Sequence, residues 1–307
     1  MPIVWPGKKD FAFTIFDDTD RATVQNVGDV YRLLADLGFR TTKSCWSMAG
    51  SPRNEASGST CEESDYAKWL LDLQSQGFEI AFHGASPQSS RRETVIKALQ
   101  SFEQMFGHAP FCYANHRDNM DNIYWGRWRL SGLHRFIYSL LMMRRQHTFE
   151  GHKECSAWFW GDVCKQKVLY VRNCVYSDIN TLKVCPMMPY HDPLRPYVRF
   201  WFASADGGRV ETFNKCISEA QQDRLEQEHG ACIMYTHFAA GFLEHGKING
   251  RFRILMERLS RKNGWFVPVH DLLEHLRRTN GDRIISAPER RRLERRWLLE
   301  KMFRGTT

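Results

Sequence analysis

One unit recurs along the first 115 residues, and it limits the folds open to the chain more than any other feature. The unit is an apolar stretch, a polar loop, a segment with helical spacing and a glycine. Phe11 to Phe16 runs apolar into Asp17-Asp18-Thr19-Asp20; Val27, Tyr31 and Leu34 then fall at helical spacing, and Gly38 precedes a second strand, Phe39 to Trp46. A Ser, Gly, Pro and Asn-rich loop over 50–64 leads to Tyr66, Leu70 and Leu73, Gly77 and the segment Phe78 to Phe82. Ser90 and Glu93 have capping-box spacing ahead of Val95, Leu99, Phe102 and Phe106; Gly107 and the segment Phe111 to Asn115 follow. Parallel strands need a crossover between them, so strands separated by single helices point to a parallel sheet, as an α/β barrel or an open sheet.

The carboxyl ends of these strands carry the chemistry. Asp17 and Asp18 end the first, His83 ends the third, and His116, Arg117 and Asp118 follow the fourth. Near the C-terminus Ala231 to Thr236 ends in His237, a helix is expected near Arg251 to Arg261, and Trp265 to Val269 reads as a last strand. An Asp-Asp pair at a strand-to-helix turn can simply cap the helix. In an α/β barrel, however, groups at the carboxyl ends of different strands converge, which turns the set toward a metal or acid/base site. Adjacent strand residues point oppositely, so one Asp can bind a metal while its neighbour acts as a base.

Composition narrows the partners. With 307 residues, 42% of them hydrophobic, one large α/β domain is expected over residues 1–280. Nine scattered cysteines without a Cys-x-x-Cys pair read as reduced thiols, and no signal segment, membrane-spanning run or Asn-x-Ser/Thr acceptor occurs, so a cytoplasmic location is expected. The formal charge is +8, but half of it lies between Glu289 and Arg304, where seven Lys or Arg face three Glu. No nucleic-acid motif accompanies it, and nucleic acid is not an expected partner.

Two regions stand apart. Residues 120–210 break the repeat and read as a loop-rich insertion, with a helical stretch around Trp125 to Met143 that suits core packing or a lipid-linked substrate. Strands are expected at Trp158 to Trp160, Val168 to Val171 and Val198 to Ala203, and irregular chain at Pro186 to Pro193. Residues 281–307 form a basic tail in which Ser286 and Glu289 cap a helix. Its apolar residues spread around the helical circle, which favours a helix packed between surfaces, including those of a homo-oligomer, over one lying flat on lipid.

Phe16-Asp17-Asp18, Phe82-His83, Phe102 to Pro110, Tyr235-Thr236-His237 and Gly264 to Val267 together resemble motifs of the polysaccharide deacetylases of NodB-homology type, carbohydrate esterase family 4. The resemblance runs from Lys9 to Leu276. It implies a distorted (β/α) barrel and hydrolysis of an N-acyl group, acetyl or formyl, on an amino sugar or a surface-polysaccharide precursor. It also implies Asp17 as base, Asp18 and His83 on a divalent metal of the Zn²⁺ class, and His237 as acid. Two motifs depart from the pattern. The second His expected four residues after His83 is Pro87, which cannot ligate. Asn115-His116-Arg117-Asp118 stands in the third motif, so Arg117 is expected to orient the base and His116 to be the third ligand, with His191 its rival. Asp178 is the one candidate for the fourth motif. A relative of the same fold that binds carbohydrate without turnover is the alternative reading.

Overall fold

The computed structural model describes residues 3–50, 58–142 and 148–304. Along the chain lie β1 (Phe11–Asp17), α1 (Val24–Asp36), β2 (Thr42–Cys45), α2 (Ser64–Ser75), β3 (Glu79–Phe82), α3 (Arg92–Phe106), β4 (Cys112–Tyr113) and α4 (Gly132–Leu141). Next come α5 (Gly161–Lys167), β5 (Tyr170–Tyr176), α6 (Thr181–Val184), β6 (Tyr190–His191), β7 (Phe200–Gly207), α7 (Val210–Cys216), α8 (Glu219–Gln227) and β8 (Ala231–Thr236). A short hairpin, β9 (Leu243–Glu244) and β10 (Lys247–Ile248), precedes α9 (Gly250–Ser260), β11 (Gly264–Phe266), α10 (Val269–Asn280), β12 (Arg283–Ile284) and α11 (Ala287–Arg304).

Parallel pairing runs β1–β2–β3–β4–β5–β7–β8 and returns from β8 to β1, a closed seven-stranded barrel. Its distortion lies between β1 and β2, which pair only at Phe16↔Thr42 and Asp17↔Lys43. β11 fills the gap below by pairing with Phe11, Ala12 and Phe13. Gly264 permits this: a Cβ there would lie 2.4 Å from the Phe266 ring and 2.8 Å from that of Phe11.

Every residue of β1 is buried, as expected for a strand covered on both faces. Phe13 packs outward on Phe39 of the loop between α1 and β2, while Phe16 points into the barrel against Phe202 and the Arg172 guanidinium. The alternation of the strand therefore sends Asp17 outward and Asp18 inward. That division decides which of them reaches a ligand.

Several expected elements shift. The Ser90 box does not cap α3: the Ser90 amide donates to Asp121 Oδ1 at 2.9 Å, and Arg91 takes the N-cap without a side-chain bond. The tail box does form, with Ser286 N to Glu289 Oε2 at 2.8 Å and Glu289 N to Ser286 Oγ at 3.4 Å. Within residues 120–210, β5 and β7 are barrel strands rather than parts of an insertion, Trp158–Trp160 is not a strand, and Tyr190–His191 forms a short strand antiparallel to β7. The sequence places strands near both β5 and β7, at Val168 to Val171 and Val198 to Ala203, but the irregular chain around them hides that they belong to the barrel. Met143, the expected end of the helical stretch, lies outside the described residues, as do 51–57 of the first loop.

α11 packs on its own chain. Leu293, Trp297 and Leu298 are buried, the Tyr176 hydroxyl donates to Leu293 O at 3.1 Å, and Tyr138 of α4 lies 5.6 Å from the Trp297 ring. Among the described residues no helix is long and apolar enough to cross a membrane. All nine cysteines are free thiols.

Candidate active site

Asp20, three residues past the end of β1, is the centre of the site. His116 Nε2 lies 2.8 Å from its Oδ1, and His83 Nε2 and His237 Nε2 each lie 3.2 Å from its Oδ2. The three imidazoles arrive from the ends of β3, β4 and β8, which the closed barrel brings to one rim. Trp46, just past β2, fixes two of them, its ring 4.6 Å from that of His83 and 4.9 Å from that of His116. About a quarter of the Asp20 side chain (26%) is exposed, so the cluster opens at the mouth.

Asp18 sits beside it, inside the barrel. Arg172 of β5 grips it with both terminal guanidinium nitrogens, Nη1 to Oδ1 at 2.8 Å and Nη2 to Oδ2 at 2.5 Å, and is itself held over the Tyr235 ring at 4.4 Å. His83 Nε2 is 4.0 Å from Asp18 Oδ2. Donor atoms of Asp18, Asp20 and His237 all fall within 4.8 Å of one another, a spacing able to hold a metal ion.

The outer nitrogens of the imidazoles reveal their state. His237 Nδ1 lies 3.1 Å from the Gly208 carbonyl oxygen, which only accepts, so Nδ1 carries a proton. Asn119 donates its amide to Ser86 O and Gln88 O, leaving its Oδ1 to accept from His116 Nδ1 at 3.2 Å. In neutral form both rings then present an Nε2 lone pair to the centre; in charged form they present a proton to Asp20. Burial would raise the Asp20 pKa, but hydrogen bonds from His116, His237 and His83 outweigh it and hold the carboxyl well below its usual range. Burial works the other way on His116 and His237, yet the hydrogen bond to Asp20 lifts both above the ordinary histidine value. Several imidazoliums around one carboxylate would leave buried positive charge uncompensated. A divalent cation would instead be held directly by Asp20 and the lone pairs of neutral rings. The Nδ1–H bonds of His116 and His237 to oxygen acceptors are the outer contacts that metal-bound histidines make, though His83 lacks one, its buried Nδ1 having no partner among the described residues. The residues present therefore fit a metal.

The expected site residues separate into two groups. Asp18, His83, His116 and His237 come together at the rim. Asp17 does not join them: its carboxylate points outward, 3.0 Å from both Lys43 Nζ and Tyr31 Oη, and Oδ1 accepts the Phe238 amide at 2.8 Å. Its side chain, fully buried under α1, is engaged by Lys43, Tyr31 and the Phe238 amide and stands apart from the rim cluster it was expected to serve as base. Arg117 is 80% exposed and reaches only toward Asp118 at 3.8 Å, so the arginine on the inward Asp is Arg172, from a strand taken for part of an insertion. His191, the rival ligand, is on β6 with Nδ1 at the Val198 carbonyl, and Asp178 pairs with Arg224 and Arg296; neither touches the cluster. Asp20 was missed, although the Asp-x-Asp spacing of Asp18 and Asp20 places two carboxylates at one strand mouth.

Over 94% of this chain and 98% of the other, the structure superposes with a TM-score of 0.53 on a Mycobacterium smegmatis protein described as a polysaccharide deacetylase, at 13% identity. A Pseudomonas aeruginosa PAO1 protein of the same description gives 0.53 and 13% over 90% of this chain and 94% of that one. The fold is that of the polysaccharide deacetylases. No family model matches the sequence, and no curated protein matches it either. The distorted (β/α) barrel expected of a divergent chain of this type is thus the barrel that forms, at an identity low enough that only the fold is shared in evidence.

Proposed function

We propose that the chain is a metal-dependent hydrolase that removes an N-acyl group, acetyl or formyl, from an amino sugar or a sugar-containing precursor. The convergence of three histidine Nε2 atoms on Asp20, beside an arginine-clamped Asp18 at the mouth of a deacetylase-type barrel, carries this reading. Asp20, His83 and His116 would hold the ion, with Asp18 and His237, whose donor atoms lie within 4.8 Å of one another and of Asp20's, beside it for the proton transfers. A divalent metal of the Zn²⁺ class would supply a Lewis acid for the acyl carbonyl and a lowered pKa for water. The third-ligand role expected of His116 is kept, and Asp20 replaces Asp18 as the carboxylate ligand.

Asp18 takes the role first expected of Asp17. Arg172 fixes both of its oxygens in direction yet leaves lone pairs free, so it accepts the proton of the attacking water. His237, its Nδ1–H anchored on Gly208 O, donates from Nε2 to the departing nitrogen as the carbon–nitrogen bond breaks. One water is consumed; the acyl group leaves as a carboxylate and the sugar as an amine. The sugar is inferred from the resemblance of Phe82-His83 and Tyr235 to His237 to deacetylase motifs and from the shared fold. Nine free thiols suit a reducing compartment, and we place the protein in the cytoplasm on that ground.

The test is release of acetate and formate from a panel of N-acyl amino sugars, with and without chelator, alongside metal content of the purified chain. Chelator-sensitive release supports the proposal. Bound sugar without turnover in the metal-loaded protein would support the non-catalytic alternative instead.

A further inference from the structure

α4 buries none of its residues, although it is among the most apolar helices of the chain. His134 and Tyr138 face α11, where His134 Nδ1 is 3.2 Å from Glu294 Oε2 and the Tyr138 ring lies tilted against Trp297. On its free face Leu133, Phe136 and Leu140 stand at i, i+3 and i+7, exposed by 71%, 66% and 58%, with Leu141 beside them. Leu299, Met302 and Phe303, in the last turns of α11, are exposed as well.

The charge of the protein gathers along the stretches that carry these two helices, although Arg129 among them is buried. Residues 122–149 hold five Arg and no Asp or Glu, and α11 holds seven Arg or Lys against three Glu. Together these surpluses come to +9, one more than the net +8, so the rest of the chain is close to neutral. The α11 carboxylates Glu294 and Glu300 are turned inward, onto Ser131 and Arg195 and onto Arg296 and the Ser177 amide respectively, while Arg291, Arg292 and Arg295 are exposed. Burial, followed by the charges of Arg129 and Arg117, pushes the Lys301 ammonium down to about 8, a sign of cations crowded on one face.

This face adjoins the active-site rim. Ser177, which meets Glu300, directly follows β5, the strand that carries Arg172. Arg117, whose charge acts on Lys301, directly follows His116. We propose that the exposed face of α4 and the last turns of α11 dock the protein onto an anionic phospholipid bilayer beside the barrel mouth. Apolar side chains entering the interface and arginines at the phosphates are the two contributions that hold a helix flat on an anionic membrane. A second copy of this chain is the poorer occupant, because a two-fold contact would set one basic patch against its own image. A bilayer beside the mouth suits a substrate presented on a lipid. The docking surface itself goes beyond the hydrolase reading and is measured without substrate.

The test is cosedimentation of the full chain with vesicles of phosphatidylcholine alone and with phosphatidylglycerol added, at low and high salt. Binding to the anionic vesicles is expected to exceed that to the neutral ones about tenfold or more and to fall with salt. Phe136→Asp, Leu140→Asp and the pair Arg291→Glu/Arg295→Glu, all at exposed positions and each checked by circular dichroism, are expected to weaken it about tenfold. Absence of binding, equal binding to both vesicles, or binding unchanged in these variants overturns the proposal. So does a wild-type dimer in sedimentation velocity that Phe136→Asp dissociates, which would give the face to a second copy.

Discussion

Replacing Lys43 by Met separates a structural role for Asp17 from a catalytic one. Lys43 and Asp17 form an ion pair with both side chains fully buried, between β1, β2 and α1, at 3.0 Å. The contact is Coulombic rather than an aligned hydrogen bond, since Lys43 Nζ has no well-directed acceptor. Removing the ammonium leaves a buried carboxylate supported only by the Tyr31 hydroxyl and the Phe238 amide. Breaking such a pair from one side costs about 3–5 kcal/mol, and the two surviving hydrogen bonds favour the lower end, about 3 kcal/mol. At about 2–4 °C per kcal/mol for a large domain, the thermal midpoint of Lys43→Met should fall by about 6–12 °C. Asp17→Asn/Lys43→Met should recover most of that loss, because no unpaired charge remains, and both variants should keep turnover per folded molecule. The assay is thermal unfolding by circular dichroism with activity measured well below the transition. A Lys43→Met midpoint within about 2 °C of wild type would refute the buried-charge account. A stable, metal-loaded Asp17→Asn that loses turnover about 10²–10⁴-fold would return the base to Asp17 and reject Asp18.

Asp18→Asn should retain metal and lose turnover by about 10²–10⁴-fold, whereas Asp20→Asn should lose metal, read by elemental analysis; equal loss of metal in both would reject the division of roles. His116→Ala should lose metal and His191→Ala keep it, each variant checked for folding; the reverse would move the third ligand to His191. Burial lifts the Asp121 carboxyl to about 6, against hydrogen bonds from the Ser90 amide and its own backbone, so the folded state binds this proton more tightly than the unfolded one. Stability contributed by that proton is therefore lost as pH rises from about 4 to about 6, up to about 3 kcal/mol in all. Asp121→Asn should abolish that slope in urea unfolding and be the more stable protein at pH 7.5; an unchanged slope would show that Asp121 does not titrate in this window.

Much of the fold was written along the chain. The helical spacing of Val27, Tyr31 and Leu34, the apolar strand ends at Asp18, His83 and His237, and the glycine stop at Gly107, which takes a φ of +79°, are local signals, each set by a few neighbouring residues. They sufficed for a parallel sheet and for polar groups on one rim. Direction and closure were not local. Whether Asp17 or Asp18 faces the mouth depends on how β1 pairs with β2 and β8, because a shift of one residue sends every side chain to the opposite face. Arg172 could not be matched to Asp18 from the sequence, since the two lie 154 residues apart and meet only when β5 takes its place in the barrel. Asp20 shows the same limit. A carboxylate in a polar loop reads as a turn residue until the closed barrel carries three histidines from three other strand ends to within hydrogen-bonding distance of it.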